Sequence, residues 1–344
     1  DYAVDSVMVV RHGYVVLEEY LSVYTETSLH TLQSVTKSIA SILMGIAIHQ
    51  GYITSVSERV VDFFPDLTIA NMDERKEQLT LEHLLTMTTG FDWDEWTYGY
   101  DDIEHNNLAA MHASPDAVQY VLDRPMAYEP GEMWVYCSGA SILLGEIVER
   151  ATGQDLNAFA RANLFDPLGI GPVVWYRAPG GYYHTGGGLF MTSRDMARIG
   201  YLMLNHGTWE GSQTILSPEY AATSTANLVQ LPVSNDFGYG FQWWYFLDFD
   251  IYFANGYYDQ KIFVDPSRDL VVVFTCSIAD GDYYPANYLF LNYILPAIDD
   301  YTPTSNPFAL LLPALVITAT LAIVIGITGF FWLRRRGIPT SKNP

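Results

Sequence analysis

Residues 34–51, SVTKSIASILMGIAIHQG, place a serine and a lysine three positions apart at the head of an almost wholly apolar run that stops at a glycine. From Ser38 to Gln50 apolar side chains occupy nearly every face, which predicts a helix buried all round, with Gly51 as its C-terminal stop. Ser34 and Lys37 share one side of a helical turn, so the amine can reach the hydroxyl. A serine hydroxyl attacks a carbonyl poorly until a neighbouring base takes its proton. Lysine can be that base where desolvation or positive neighbours lower its pKa, and the buried helix supplies such a setting. The helix N-terminus adds backbone N–H groups and partial positive charge, both useful to a developing oxyanion. Serine and lysine often fall at this spacing on exposed helices, but this chain has only four lysines and spends one here.

Working outward, Ser6–Arg11 and Tyr14–Tyr20 read as a hairpin turning at His12-Gly13. The middle of the chain, about 80–207, is dominated by helical patterns between Gly/Pro/Asp-rich loops, clearest at Ala140–Thr152 and Ser193–Asn205. After Asn235 strand patterns return: Phe241–Phe246, Ile251–Ala254, Lys261–Val264 and Leu270–Ser277 are rich in β-branched and aromatic residues. Strands at both ends around a helical middle predict an α/β (α+β) fold, with one antiparallel sheet completed by both termini, flanking helices and an inserted, mainly helical subdomain.

A second candidate constellation is Tyr136-Cys137-Ser138, between Glu129-Pro130-Gly131 and the helix that follows. A tyrosine hydroxyl beside a lysine can shuttle a proton to a leaving group. Alone, Tyr136 is one of 25 tyrosines, and a packed aromatic is the better reading of it. The loop Phe91–Asn107 mixes aromatics and acids in a stretch too irregular for a regular element. Such loops either cover active sites or lie solvated on the surface. In the first case Trp96, Tyr98 and Tyr100 would form an apolar wall.

The order of these segments resembles the class C β-lactamase-related serine hydrolases, which share the penicillin-binding-protein fold. The resemblance covers roughly residues 5–280 and is carried by SVTKSIASILMGIAIHQG, LTLEHLLTMTTGFDW, YEPGEMWVYCSGASILLGEIVERATG, LFDPLGI, GGGLFMTSRDMARIG and GYGFQWW. S-x-x-K is among the motifs of that superfold. The resemblance implies Ser34 as nucleophile, Lys37 as general base and Tyr136 as proton-transfer partner, with Ser138 as the polar third residue of a Tyr-x-Asn/Ser motif. It is nearest to the esterase and amide-hydrolase branch, which includes enzymes that cleave aminohexanoate oligomers. The third family motif, Lys/His-Thr/Ser-Gly on a strand lining the site, is altered: the matching segment is Ala254-Asn255-Gly256, so the resemblance implies Asn255 beside the substrate. The glycine lets the backbone come close to a substrate, and the Tyr257 N–H after it is the expected second oxyanion donor beside that of Ser34. The missing cation, which helps bind a substrate carboxylate in β-lactamases and transpeptidases, puts both of those activities in doubt. His184-Thr185-Gly186 spells the motif literally but leads into a glycine loop and a helix, so a wall or loop position is expected for it. Asp195, nearby, is expected to cap or pair within its own helix.

The remaining features bound localisation and partners. Phe308–Leu333 carries no charge and is followed at once by Arg334, Arg335 and Arg336. At about 1.5 Å per residue it is long enough to cross a bilayer core of roughly 30 Å. Asp299 and Asp300 before it and the arginines after it predict a single-pass protein of the cell membrane, with residues 1–300 outside, a linker at 301–307, the span at 308–333 and a cytoplasmic tail at 334–344. The chain starts at Asp1 without the charged and apolar regions of a signal peptide, so an exported domain implies a segment upstream of this sequence. A net charge of −22, with no acid in the tail, argues against nucleic acid and anionic headgroups as partners. Cys137 and Cys276 give no disulfide framework and are expected as free thiols. No Cys/His spacing resembles a zinc site, and the expected chemistry needs no cofactor. The expected function is acyl-enzyme cleavage of a small-molecule or short-peptide ester or amide. A D-amino-acid peptidase or β-lactamase is the alternative among enzymes, and a catalytically silent, membrane-anchored binding or scaffold protein is the alternative outside them.

Overall fold

The structure is a computed structural model in which residues 3–232, 234, 236–278 and 285–298 are described. It divides into two compact units, Asp1–Ala286 and Asn287–Pro344. In the second unit the described part consists of short helical turns, among them Phe290–Ile294 and Leu295–Ala297. The expected linker, span and tail lie outside the described residues. Among the described residues no helix is long and apolar enough to cross a membrane.

The first unit is built on an eight-stranded sheet. In chain order its strands are β1 (Val4–Arg11), β2 (Tyr14–Tyr20), β3 (Val229–Gln230), β4 (Phe237–Tyr239), β5 (Trp244–Phe246), β6 (Ile251–Gly256), β7 (Gln260–Asp265) and β8 (Leu270–Cys276). In space they run β2-β1-β8-β7-β6-β5-β4-β3. The hairpin β1–β2 turns on His12 and Gly13, both left-handed at φ 52° and 75°, as a two-residue turn matched to strand twist requires. β1 then lies antiparallel to β8, with Val7 opposite Phe274 and Val9 opposite Val272. First and last strands are thus neighbours, and both ends of the domain complete one sheet as the sequence predicts.

Alternation along the strands sorts the two faces. Met8, Val10, Ile262, Val264, Val271 and Val273 enter the main hydrophobic core. This face meets helix α1 (Val35–His49), which packs on β6 and β7, and a later helix, Ser193–Leu204, which packs on β1, β7 and β8. The opposite face carries Phe246, Phe253, Phe263 and Phe274, whose rings meet stacked, tilted or edge to face from strand to strand.

Between β2 and β3 the chain also forms α2 (Leu81–Leu85), α3 (Asn107–Ala113), α4 (Ala117–Leu122) and α5 (Ser138–Thr152); the helix Ser193–Leu204 is α6. A small sheet joins His30–Thr31, Leu189–Met191 and Val174–Trp175. α1 is buried from Val35 to Ala47 and lies against α5. The two segments with the candidate catalytic residues are therefore packed on each other in the middle of the domain.

One strand differs from expectation. FQWWYF reads as continuous strand from Phe241, yet the strand begins at Trp244. Gln242 is the cause: it is buried with φ 63°, and its polar groups tie three helices together. Its side-chain amide donates to the Leu84 and Leu85 carbonyls of α2, and its Oε1 accepts from Ser141 Oγ of α5 at 2.7 Å. Its own carbonyl accepts from Ser38 Oγ of α1, also at 2.7 Å. A buried amide so fully bonded outweighs strand propensity.

Candidate active site

Ser34 sits at the N-cap of α1, after Gln33 in a left-handed conformation, φ 46°. Such a conformation is uncommon for a residue with a side chain and marks a site held by its surroundings. The Ser34 side chain makes no capping bond to its own helix. It accepts a hydrogen bond from Lys37 Nζ at 3.0 Å instead. Lys37 is 1% exposed, and its second bond goes to the Gly186 carbonyl at 2.5 Å. Burial is the largest influence on this amine and lowers its pKa to about 8, although Glu95 and Cys137 act in the opposite sense.

Tyr136 precedes α5, and its ring lies 5.0 Å from Lys37 Nζ. Burial and the Glu95 charge push its hydroxyl far above the usual tyrosine value, while a hydrogen bond with Ser34 works the other way. Of the two groups beside Ser34, the amine is thus the one able to be unprotonated near neutral pH. Ser138 begins α5, and Cys137 caps that helix by accepting from Ala140 N at 3.4 Å. Both cysteines are free and buried.

Glu95 was not singled out by the sequence. It is buried beneath the irregular loop and accepts three bonds of 2.8 Å, from Trp93 Nε1, Ser138 N and Ser138 Oγ. Burial raises its pKa, and the nearby Lys37 charge opposes that rise. The loop is structurally specified around it. Asn106, fully buried, donates to the Glu95 and Tyr98 carbonyls and accepts from Leu108 and Ala109 N–H at the start of α3. Trp96 is 50% exposed and stacks on Tyr136, with centroids 4.9 Å apart. Tyr100 meets Tyr257 edge to face across the cleft, whereas Tyr98 stacks on His105. Of the three expected wall aromatics Tyr100 lines the cleft, Trp96 covers Tyr136, and Tyr98 turns to His105.

These groups open into a cleft of about 360 Å³ lined by Gln33, Ser34, Glu95, Tyr136, Ser138 and Tyr257, among others. His184 is also in its wall, and its Nε2 lies 2.7 Å from Nε2 of His112 on α3. Burial lowers both imidazole pKa values, that of His184 to about 4. The His184-Thr185-Gly186 triplet thus contributes a wall residue and the carbonyl that holds Lys37. On the other side, β6 ends at Gly256. A Cβ there would lie 2.4 Å from the Leu32 carbonyl, so only glycine allows the strand to come this close to the segment before Ser34. Tyr257 follows in the cleft wall. Asn255 points away from the cleft and accepts from Lys261 Nζ. Asp195 accepts from Thr192 Oγ1 and Arg198 within and beside its own helix.

Ser34, Lys37, Tyr136, Ser138 and Tyr257 are thus brought together, Trp96 stands over Tyr136, and Gly256 forms the close approach behind them. Among the described residues no group of three or more His, Cys, Asp or Glu side chains is placed to hold a metal ion.

Comparison with known proteins bears on the family and the fold. The family description Beta-lactamase matches residues 3–291. The monacolin J acid methylbutanoyltransferase of Aspergillus terreus is 35% identical over 115 residues, 32% of this chain and 26% of the relative. The 6-aminohexanoate-dimer hydrolase of Paenarthrobacter ureafaciens is 25% identical over 296 residues, 81% of this chain and 74% of the relative. Among solved structures, the octameric penicillin-binding protein homologue from Pyrococcus abyssi superposes with a TM-score of 0.68 at 18% identity, over 86% of this chain and 74% of that one, a likeness of fold. The chain spans 26% and 36% of the length of the first curated relatives it matches.

Proposed function

The chain belongs to the β-lactamase family of serine hydrolases, and from that premise we propose that it cleaves a small ester or amide through an acyl-enzyme on Ser34. The observation that carries this reading is the buried Lys37 amine, 3.0 Å from Ser34 Oγ with its pKa lowered to about 8. Ser34 Oγ attacks the substrate carbonyl as its proton passes to Lys37 Nζ. The oxyanion is received by the backbone N–H groups of Ser34 and Tyr257. The carbon–oxygen or carbon–nitrogen bond then breaks. Tyr136 gives its hydroxyl proton to the leaving group and regains one from Lys37. Water attacks the acyl carbon, releasing the acid and restoring the Ser34 hydroxyl.

The cleft lining favours neutral substrates. Among the described residues that line it none is arginine or lysine, and Lys37 below is bonded to Ser34 and Gly186. A substrate carboxylate finds no ionic partner there, which supports the ester and amide reading over transpeptidase or β-lactam chemistry. The acyltransferase among the relatives matches a chemistry in which an acceptor other than water takes the acyl group in the second step. We further propose that Phe308–Leu333 anchors the protein in the cell membrane with the catalytic domain outside, on the strength of its uncharged length and the arginines after it.

Two measurements test the reading. The protein is expected to hydrolyse a short-chain p-nitrophenyl ester and to be labelled on Ser34 by a fluorophosphonate. A folded protein that does neither overturns it. A further expectation concerns Glu95, whose negative charge raises the Lys37 pKa. Glu95→Gln keeps an acceptor oxygen for Ser138 and removes that charge. Its kcat/KM should therefore begin to rise at lower pH than in the wild type. An unmoved acid limb would mean that the carboxyl is uncharged in the working enzyme.

A further inference from the structure

Behind the cleft, on the face of β6 turned away from α1, lies a buried lysine that the proposed chemistry does not use. Lys261 on β7 is 2% exposed and stands directly opposite Asn255 on β6. Its Nζ donates to Asn255 Oδ1 and pairs with Asp259 Oδ1 at 3.3 Å. Asp259 is likewise 2% exposed, and its Oδ2 accepts from Ala286 N at 2.7 Å.

These contacts bracket one peptide group. Asn255 stands two residues before Tyr257 and Asp259 two residues after it. The chain between strands is strained, with Tyr258 and Asp259 both left-handed at φ 62° and 65°, and such backbone persists only where its surroundings over-determine it. Gln260 adds a further tie, its Nε2 donating to the Tyr258 carbonyl at 3.1 Å and to the Cys276 carbonyl at 2.5 Å. A hydrophobic side chain would fill the Lys261 position without the desolvation cost of an ammonium. What the ammonium adds is direction, because one charge reaches both sides of Tyr257.

We propose that Lys261 is a positioning residue for the oxyanion hole: joined to Asn255 and Asp259, it fixes the direction of the Tyr257 N–H without touching substrate. This rests on the reading of that N–H as an oxyanion donor. Among the described residues that line the cleft there is no lysine or arginine to replace the cation missing from the third family motif; the lysine on the adjacent strand serves the backbone instead of a substrate carboxylate.

The test uses Lys261→Met, which conserves volume, and Asn255→Ala, which removes one tether, in the full chain. Amide hydrogen–deuterium exchange is followed over residues 251–260, alongside kcat, KM and Tm. Faster exchange confined to this segment is expected. With it, kcat should fall about 10- to 100-fold for Lys261→Met, less than the ~10²–10³ typical of removing an oxyanion donor outright, and less again for Asn255→Ala. KM should stay within about twofold, since an oxyanion donor acts mainly in the transition state. Unchanged exchange overturns the proposal whatever the activity. Faster exchange, or a lower Tm, with kcat per folded molecule unchanged also overturns it and leaves Lys261 a structural role. Should Lys261→Met fail to fold, Asn255→Ala decides by the same criteria. A wild type that neither turns over nor labels on Ser34 would instead defeat the reading of the active site, and the exchange data would still say whether Lys261 holds the turn.

Discussion

Ser34→Ala is expected to lower kcat for a short-chain p-nitrophenyl ester by ~10³–10⁶ while leaving the fold intact. The size follows from the role. Without the hydroxyl no acyl-enzyme forms, and what remains is whatever the oxyanion donors give to direct attack by water. The retained fold follows from the structure of the helix end. Ser34 makes no side-chain capping bond to α1, so the substitution removes no cap. Lys37 keeps its bond to the Gly186 carbonyl. A lost hydrogen bond of about 1 kcal/mol shifts Tm by only a few degrees in a domain of this size. Thermal melts of both proteins and parallel rate measurements check the two halves separately. Equal turnover by both would place the active site elsewhere. Inactivity of both, with both folded and neither labelled by the fluorophosphonate, would favour a silent scaffold on this fold.

Much of the fold and part of the site are legible in the sequence, and the difference between the parts is physical. The apolar run after Lys37 can satisfy itself only as a buried helix, and α1 is buried along nearly its whole length. The alternating β-branched runs at both ends can share a sheet, and Val7 duly faces Phe274. Ser34 and Lys37 stand out by their spacing at the head of a buried helix, whereas Tyr136 and Tyr257 stand out only through the family resemblance. Glu95 does not. It is one acid among several in FDWDEW, and only the folded loop distinguishes it, by turning it inward onto Ser138 while Asp92 stays outside. The same holds for the Gly186 carbonyl, a backbone group whose value lies in meeting an amine 149 residues away. Gln242 defeated a strand reading because its hydrogen bonds reach three separate helices, and no local window contains them. Asn255 was placed near the substrate by its position in a motif. The pleat turns it the other way, onto Lys261, and strand alternation in FANG could have indicated this. The membrane span rests on sequence alone.

Lys37→Met is expected to cost ~10²–10⁴ in kcat/KM, the range of a lost general base. Methionine fits the apolar volume, so the variant should fold, and losing a buried amine relieves a desolvation cost. Lys37→Arg makes the sharper comparison. Its guanidinium keeps the charge but releases no proton near neutral pH, so an electrostatic role would survive the change and a base role would not. Both variants are expected to be equally impaired. The pH dependence supplies independent support. The base must be unprotonated, so the wild-type kcat/KM should fall tenfold per pH unit below about 8 and level off above it, as the lowered Lys37 pKa requires. Neither neighbour can imitate that limb. His184 is held near 4, and Tyr136 far above its ordinary value of 10.0, by burial. A limb centred between 5 and 7 would therefore point to a different base, and His112 would be the first to examine, since it reaches the cleft and bonds His184. A limb near 8 that persists in Lys37→Arg would be equally decisive against Lys37, because the titrating group would have outlived the residue assigned to it.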